Sequence, residues 1–370
     1  MFAERMKYLE SSGIRKMFEL ASKMKNPIDL SLGLPDFDVP ENVKKTACDA
    51  IMTGKNRYTV TQGVELFQSA VQETLKKEAV PFESVMAVSG ASGGLVLSLM
   101  ALADSQTVVF VEDPCFVAYE SIIRLAGATP VRVDTYPDFH LTQERLQKAV
   151  DSLGELSNKK RVLIFNSPSN PTGVAYTKDE IANLAQVTQA NNIQVISDEV
   201  YDRFCYDFEH ESWLKHDPRA VLIRTLGKTW GMTGWRSGYA AGPKDIIDKM
   251  ITLQQFTYVC VNTPTQWASI EALKTDVSEV IQAYAKKRDF IYNELSSLFE
   301  CQKPQGAFYI FPKIPGDADQ FLAKCIENEL LIVPGKAFGK KNTHFRVSFG
   351  LPLENLAKGV EVLRKVVKSI

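Results

Sequence analysis

Lys228 carries the most reactive side chain in the least ordinary setting. It follows an apolar run at 220–226 and stands in Thr225-Leu226-Gly227-Lys228-Thr229-Trp230-Gly231-Met232-Thr233-Gly234-Trp235-Arg236. A lysine there can snorkel, laying its stem on apolar surface and its amine in water. It can also sit out of water with a lowered pKa and attack a carbonyl carbon to form a Schiff base. Arg236 has the planar fork that grips a phosphate through two N–H bonds. Further reactive types stand at the ends of β-like runs: Asp198 after 193–197, Asn170 in the Pro/Gly loop 166–173, and Phe116 in Asp113-Pro114-Cys115-Phe116. Ligands of open α/β sheets bind beyond such carboxyl ends. The small-residue turn Ser89-Gly90-Ala91-Ser92-Gly93-Gly94 precedes a helical stretch and can cradle an anion on backbone N–H groups. The set is an amine, a carboxylate, an amide, an aromatic ring and an anion cradle, without a histidine. Plainer readings stand beside these: a helix cap for Asp198, a turn amide for Asn170, core rings for Tyr201 and Phe116, and a structural ion pair for Arg346 in its β-like run 345–349. Gly227-Lys228-Thr229 also ends like a nucleotide-phosphate loop, but that pattern requires glycine where the chain has Leu222.

The elements that position these residues alternate. Helical periodicity at 64–77 leads to a short apolar strand at 85–88, the small-residue turn and a helix at 95–103. Strands follow at 107–111, 129–133, 161–165, 193–197 and 220–226. Helices lie between them near 116–126 and at 177–190, the latter opened by the capping box Thr177-x-x-Glu180. Such alternation predicts an α/β fold with a mostly parallel sheet and helices on both faces. An amphipathic helix is expected over 10–25. The last hundred residues differ, with a long helix at 277–299, short strands near 308–311, 331–333 and 345–349, and a C-terminal helix. That mixture predicts a smaller α+β domain. The expected division is an N-terminal arm at 1–38 belonging to the small domain, a large domain at 39–275 and a C-terminal small domain at 276–370.

Composition excludes several classes. The 370 residues are 45% apolar and 24% charged, as in a folded enzyme and unlike a disordered chain. With 43 Lys+Arg against 44 Asp+Glu, the formal charge is −1, so no global field attracts nucleic acid or an anionic membrane. The most apolar window, 87–103, is interrupted by Ser and Gly and does not read as a membrane span. Charges at Glu4, Arg5, Lys7 and Glu10 exclude a secretory signal core. Six scattered cysteines and four separated histidines point to a reducing cytoplasm, and no metal site is expected.

Taken together, Lys228-x7-Arg236, Asn170-Pro171-x-Gly173 and Asp198-Glu199-Val200-Tyr201 carry a resemblance. Over nearly its whole length the chain resembles the class I/II aminotransferases, pyridoxal-phosphate (PLP) enzymes of fold type I, with a large sheet domain between helices and a smaller α+β domain. The resemblance implies that Lys228 holds PLP as a Schiff base and shuttles the substrate proton. Asp198 would pair with the pyridine nitrogen, and Tyr201 and Asn170 with the phenolic oxygen. Gly90, Ala91, Ser92, Thr225 and Arg236 would hold the phosphate, and Phe116 would stack on the ring. Arg346, with Gly33 and Asn170, would bind the substrate α-carboxylate. Tyr58 would reach the phosphate of a neighbouring subunit, which makes a homodimer with shared sites the expected assembly.

The chain departs from the family pattern at Thr225 and Gly227, where serines are common. It also shows no assignable clamp for a second carboxylate. The expected reaction is ping-pong transfer of an α-amino group from an L-amino acid of the aspartate, aromatic or alanine class to a 2-oxo acid such as 2-oxoglutarate. The segment 12–16 resembles the aspartate/aromatic branch. A PLP-dependent carbon–sulfur β-lyase is the alternative on the same fold. A remoter one is a serine hydrolase, because Gly90-Ala91-Ser92-Gly93-Gly94 fits G-x-S-x-G and Asp198 and His344 follow in the Ser-Asp-His order. A ligand-sensing regulator on this fold would need an attached DNA-binding domain, and none is read here.

Overall fold

The computed structural model describes residues 2, 6–7 and 24–369. The helix expected over 10–25 lies outside these up to residue 23, as does the segment 12–16; Met24 and Lys25 themselves form a bend.

Seven strands form the main sheet: β1 (Ser84–Val88), β2 (Thr107–Asp113), β3 (Thr129–Asp134), β4 (Lys160–Asn166), β5 (Ile193–Asp198), β6 (Val221–Thr225) and β7 (Gly238–Gly242). Their spatial order is β1-β7-β6-β5-β4-β2-β3. Strands β2 to β6 pair in parallel, whereas β7 runs antiparallel to both β6 and β1. Every residue of β2 is buried, as expected where helices cover both faces of a parallel sheet.

β7 was not anticipated. Gly238-Tyr239-Ala240-Ala241-Gly242 has no β-branched residue and only Tyr239 favours a strand, so local propensity gives little strand signal. Its smallness is a packing requirement: a Cβ on Gly238 would lie 2.5 Å from the Arg224 carbonyl oxygen and 3.2 Å from the Gly90 backbone.

Helix α1 spans Gly90–Leu102, so the small-residue stretch expected to precede it forms its first turn instead. Gly and Ser are weak helix formers, but the turn lies against β6. A Cβ on Gly94 would meet Ile223 at 3.0 Å. The capping box at Thr177 is present, with Glu180 Oε2 accepting from the Thr177 N–H at 2.8 Å. Five further helices escaped sequence detection: Glu41–Met52, Gln143–Asp151, Lys244–Thr257, Thr263–Ala272 and Ala318–Glu327. Three of them bury only two side chains each, Val43 with Ala50, Leu146 with Val150, and Phe321 with Cys325, which leaves little apolar period to read.

A second core gathers Leu30 with Tyr284, Ile291, Phe308, Phe345, Leu356 and neighbours from the C-terminal segment. Its strands form a three-stranded antiparallel sheet in which Phe345–Ser348 lies between Val333–Pro334 and Tyr309–Ile310. Ile28–Asp29 pairs in parallel with Leu330–Leu331, which ties the N-terminal segment to this core.

Candidate active site

The carboxyl ends of β4, β5 and β6, the first turn of α1 and the loop around Gly33 enclose a cavity of about 570 Å³. Its wall includes Gly33, Ala91, Ser92, Phe116, Asn170, Asp198, Tyr201, Thr225, Lys228, Arg236 and Arg346. Residues scattered over more than 300 positions of sequence therefore share one space.

Lys228 stands on a four-residue helix, α3 (Leu226–Thr229), just past the end of β6. Thr225 caps this helix, its Oγ1 accepting from the Gly227 N–H at 3.1 Å and donating to the Ser237 carbonyl at 3.1 Å. The Thr225 hydroxyl proton is thus already engaged, and its first role is to set the helix that carries the amine. The Lys228 amine donates to the Gly33 carbonyl at 2.6 Å, inside the cavity wall. It does not snorkel. Burial lowers its pKa to about 8, helped by the guanidinium groups of Arg346 and Arg236 and opposed by Asp198. An amine with that pKa is neutral and nucleophilic in about a tenth of molecules at pH 7.

Asp198 ends β5 and is 3% exposed. No helix begins there, since residues 200–203 form turns, so the cap reading fails. Its Oδ2 accepts from the Tyr119 hydroxyl at 2.6 Å, while Oδ1 is buried with no partner. Burial pushes its pKa up to about 6, even against the pull of the Tyr119 hydroxyl and the Val200 N–H. A buried carboxylate oxygen without a donor is costly and marks a place for one.

Arg346, from the strand Phe345–Ser348, is fully buried. Its Nη1 donates to Asn170 Oδ1 at 2.8 Å and its Nη2 to the Ser31 carbonyl at 2.6 Å, and its plane lies over the Tyr309 ring at 4.3 Å. Nε has no partner, and no carboxylate among the described residues bonds the group directly; Asp29 attracts it only from a distance. The structural ion pair is therefore absent there. A buried cation held by neutral acceptors is built to take an anion.

At the opposite end, Gly90 adopts φ +63°, and a Cβ there would lie 2.5 Å from Arg236 Nη2. The glycine lets that guanidinium approach the opening turn of α1, where free N–H groups and the helix dipole favour an anion. Ala91 and Ser92 line the same turn. Phe116 lies on the cavity wall, its ring T-shaped to that of Tyr119.

Tyr201 donates to or accepts from the hydroxyl of Tyr309 at 2.9 Å. Tyr58 is 84% exposed and is not part of this wall. Among the wall residues missed in sequence, Tyr119, Tyr309 and Asn166 hydrogen-bond directly to site residues. The Asn166 amide donates to the Asp198 carbonyl oxygen and accepts from the Asn170 N–H, bracing two site residues at once. Asn166 was visible at a strand end. Tyr119 and Tyr309 lie within helix and strand patterns that give them no distinguishing signal.

The Ser92–Asp198–His344 arrangement does not form. His344 stacks on Phe311 at 5.2 Å beside Tyr136 and Phe139, and no histidine lines the cavity.

Comparison with known proteins agrees with this geometry. The family model described as aminotransferase class I and II matches residues 25–363. The chain is 34% identical to a probable aspartate aminotransferase of Methanocaldococcus jannaschii, covering 99% of this chain and 100% of that one. It is 32% identical to aromatic-amino-acid aminotransferase 2 of Thermococcus litoralis, covering 99% and 98% respectively. The solved aspartate aminotransferase from Thermus thermophilus with maleate superposes with a TM-score of 0.92 at 29% identity, over 99% of each chain. The described cavity, the sheet order and these full-length matches together place the chain in the class I and II aminotransferase family.

Proposed function

We propose that this aminotransferase takes pyridoxal 5'-phosphate as its cofactor and moves the α-amino group of an L-amino acid to a 2-oxo acid, with 2-oxoglutarate as the expected acceptor. The observation that carries this reading is one cavity holding three complementary groups: an amine with a lowered pKa, a buried carboxylate with an unpartnered oxygen, and a buried guanidinium without a carboxylate. The residues fit the cofactor. Asp198 Oδ1 lacks a donor, which a protonated ring nitrogen supplies. The Gly90 turn with Arg236 suits a phosphate. When bound, pyridoxal phosphate supplies an electrophilic carbonyl and a ring that withdraws electrons from the substrate Cα.

The chain's own residues do the rest. Lys228 would hold the cofactor's carbonyl through Nζ and, as the free amine, would accept the Cα proton there. Asp198 would keep the ring nitrogen protonated through Oδ1. Tyr201 and Asn170 would bind the phenolic oxygen, and Phe116 would cover the ring. The backbone at 90–92, Ser92 and Arg236 hold the phosphate, with Thr225 setting the helix beneath. Arg346 binds the substrate α-carboxylate beside Asn170 and Gly33. The cavity wall carries only Lys228, Arg236 and Arg346 as cations among the described residues. Each has a role above, so no described cation is left for a second carboxylate.

Tyr58 supports a homodimer with shared sites. Segment 57–61 is tied to the helices at 244–257 and 263–272 through Gln254, Thr263 and Gln266, and it turns Tyr58 outward. Two cores on the main sheet and a third in the C-terminal segment support a large domain at 39–275 and a small domain at 276–370, and the pairing of Ile28–Asp29 with Leu330–Leu331 supports counting the arm at 1–38 with the small one. All six cysteines are free thiols, and no helix among the described residues is long and apolar enough to cross a membrane, which suits a cytoplasmic enzyme.

The test is borohydride reduction of the purified yellow protein, followed by peptide mapping and a panel of amino donors. Pyridoxal phosphate fixed on the Lys228 peptide, with 2-oxo acid formed from at least one donor, is the expected result. Label on another lysine, or β-elimination without amino transfer, would overturn the assignment.

A further inference from the structure

The two oxygens of the Asp198 carboxylate are in different situations. Oδ2 accepts the Tyr119 O–H at 2.6 Å, while Oδ1 is buried and unpartnered. Tyr119 is 2% exposed and opens the helix α2 (Tyr119–Leu125), with its ring T-shaped to that of Phe116 at 5.6 Å. The main chain of Asp198 is fixed separately, by the Asn166 amide donating to its carbonyl at 2.8 Å. With the backbone held by one residue and one carboxylate oxygen by another, the side chain has little freedom to exchange its oxygens.

We propose that Tyr119 is a positioning residue for Asp198: its hydroxyl occupies Oδ2, which leaves Oδ1 as the oxygen that holds the cofactor's ring nitrogen and favours the ionised carboxylate that this contact requires. The inference rests on the role given to Asp198 above. The charge pattern around the pair agrees with it. Burial raises the Asp198 pKa, and the Tyr119 hydrogen bond is the largest opposing pull, followed by the Val200 N–H. Glu199 repels the anion and the Lys228 amine attracts it. Tyr119 itself faces Asp198, Cys115 and Glu112, and its phenol is held well above the ordinary tyrosine range by burial and by Asp198. It therefore remains the proton donor, and Asp198 the acceptor, throughout the neutral range.

The experiment measures pyridoxal phosphate affinity for the cofactor-free, full-length protein from about pH 5 to pH 9. A plot of log Kd against pH bends at the pKa of each free-protein group linked to binding; the Lys228 amine gives one near pH 8, and the bend followed here is the acid-side one that Asp198 gives near pH 6. The cofactor's own titration is common to every variant and cancels in the comparison. Tyr119→Phe keeps the ring and its packing and removes one hydroxyl. Losing a hydrogen bond to the charged form raises the carboxyl pKa, so the bend should move up by about one to two pH units, with affinity near neutral pH falling about 5- to 20-fold. Asp198→Asn should abolish the bend, and adding Tyr119→Phe to it should change affinity by less than about twofold, because the coupled partner is gone. A bend that stays in place in Tyr119→Phe, or an equal loss of affinity in both backgrounds, would overturn the role of Tyr119 and leave that of Asp198 standing. A parent protein whose binding and bend are untouched by Asp198→Asn would overturn both.

Discussion

At the scale of single residues, the site is organised by mismatches between burial and charge. Lys228 has a partly buried amine, Asp198 a buried carboxylate with one satisfied oxygen, and Arg346 a buried guanidinium without an anion. Each is unfavourable for the empty fold and useful once a ligand supplies the missing partner. Lys228 makes this measurable. Its folded pKa of about 8 lies below the ordinary lysine value of 10.5. Below pH 8 the folded chain bears the cost of a desolvated cation that the unfolded chain avoids. As pH rises from about 8 toward 10.5 the unfolded chain binds the extra proton, so that cost falls away. Lys228→Met should therefore stabilise the cofactor-free protein by about 1–3 kcal/mol at pH 7, with the gain shrinking toward zero near pH 10. Thermal unfolding of both proteins across that range checks it. A gain independent of pH would mean that the amine is not the source.

At the scale of elements, the site depends on small residues where two backbones meet. β7 lies between β1 and β6, and its Gly238 faces both the Arg224 carbonyl and the Gly90 turn. Gly238→Ala would drive a methyl group to 2.5 Å from that carbonyl oxygen, so β6 or β7 must shift. We expect a loss of about 2–4 kcal/mol in urea unfolding, seen as a lower midpoint at unchanged slope. Because the same methyl presses on Gly90, cofactor affinity should fall as well. Gly234→Ala is the control, since a Cβ there meets nothing within 4 Å. Equal stability of the two variants would remove the packing account of this strand.

At the scale of the whole molecule, Tyr58 is the residue that a single chain does not explain. It is 84% exposed, near Val60 and with Phe256 also largely exposed on the same chain. If it serves a neighbouring site, inactive subunits should complement. Tyr58→Ala subunits mixed with Lys228→Ala subunits form some dimers in which one site receives intact Lys228 from the first parent and intact Tyr58 from the second. Activity should rise on mixing above that of either parent. Lys228→Ala alone should lose at least about 10⁴-fold, since covalent attachment and proton transfer go together. No rise after verified subunit exchange would show that Tyr58 acts within its own chain.

The sequence by itself determined the α/β class, most strands of the main sheet and the family. Local periodicity, the capping box at Thr177 and the spacing of Asn170, Asp198, Lys228 and Arg236 are all written along the chain. Position at a strand end was enough to single out these groups, because parallel strands deliver their carboxyl ends to one edge. Tertiary structure alone decided the rest. β7 exists because Gly238 and its alanines fit between two backbones, a fit that no propensity records. The start of α1 carries glycine at 94 because a Cβ there would meet Ile223 of β6 at 3.0 Å. Tyr119 and Tyr309 became site residues through contacts with Asp198, Tyr201 and Arg346 that join distant parts of the chain. Residue type and local period are properties of a few neighbouring positions, whereas the partner of a buried hydroxyl is set by which elements pack together.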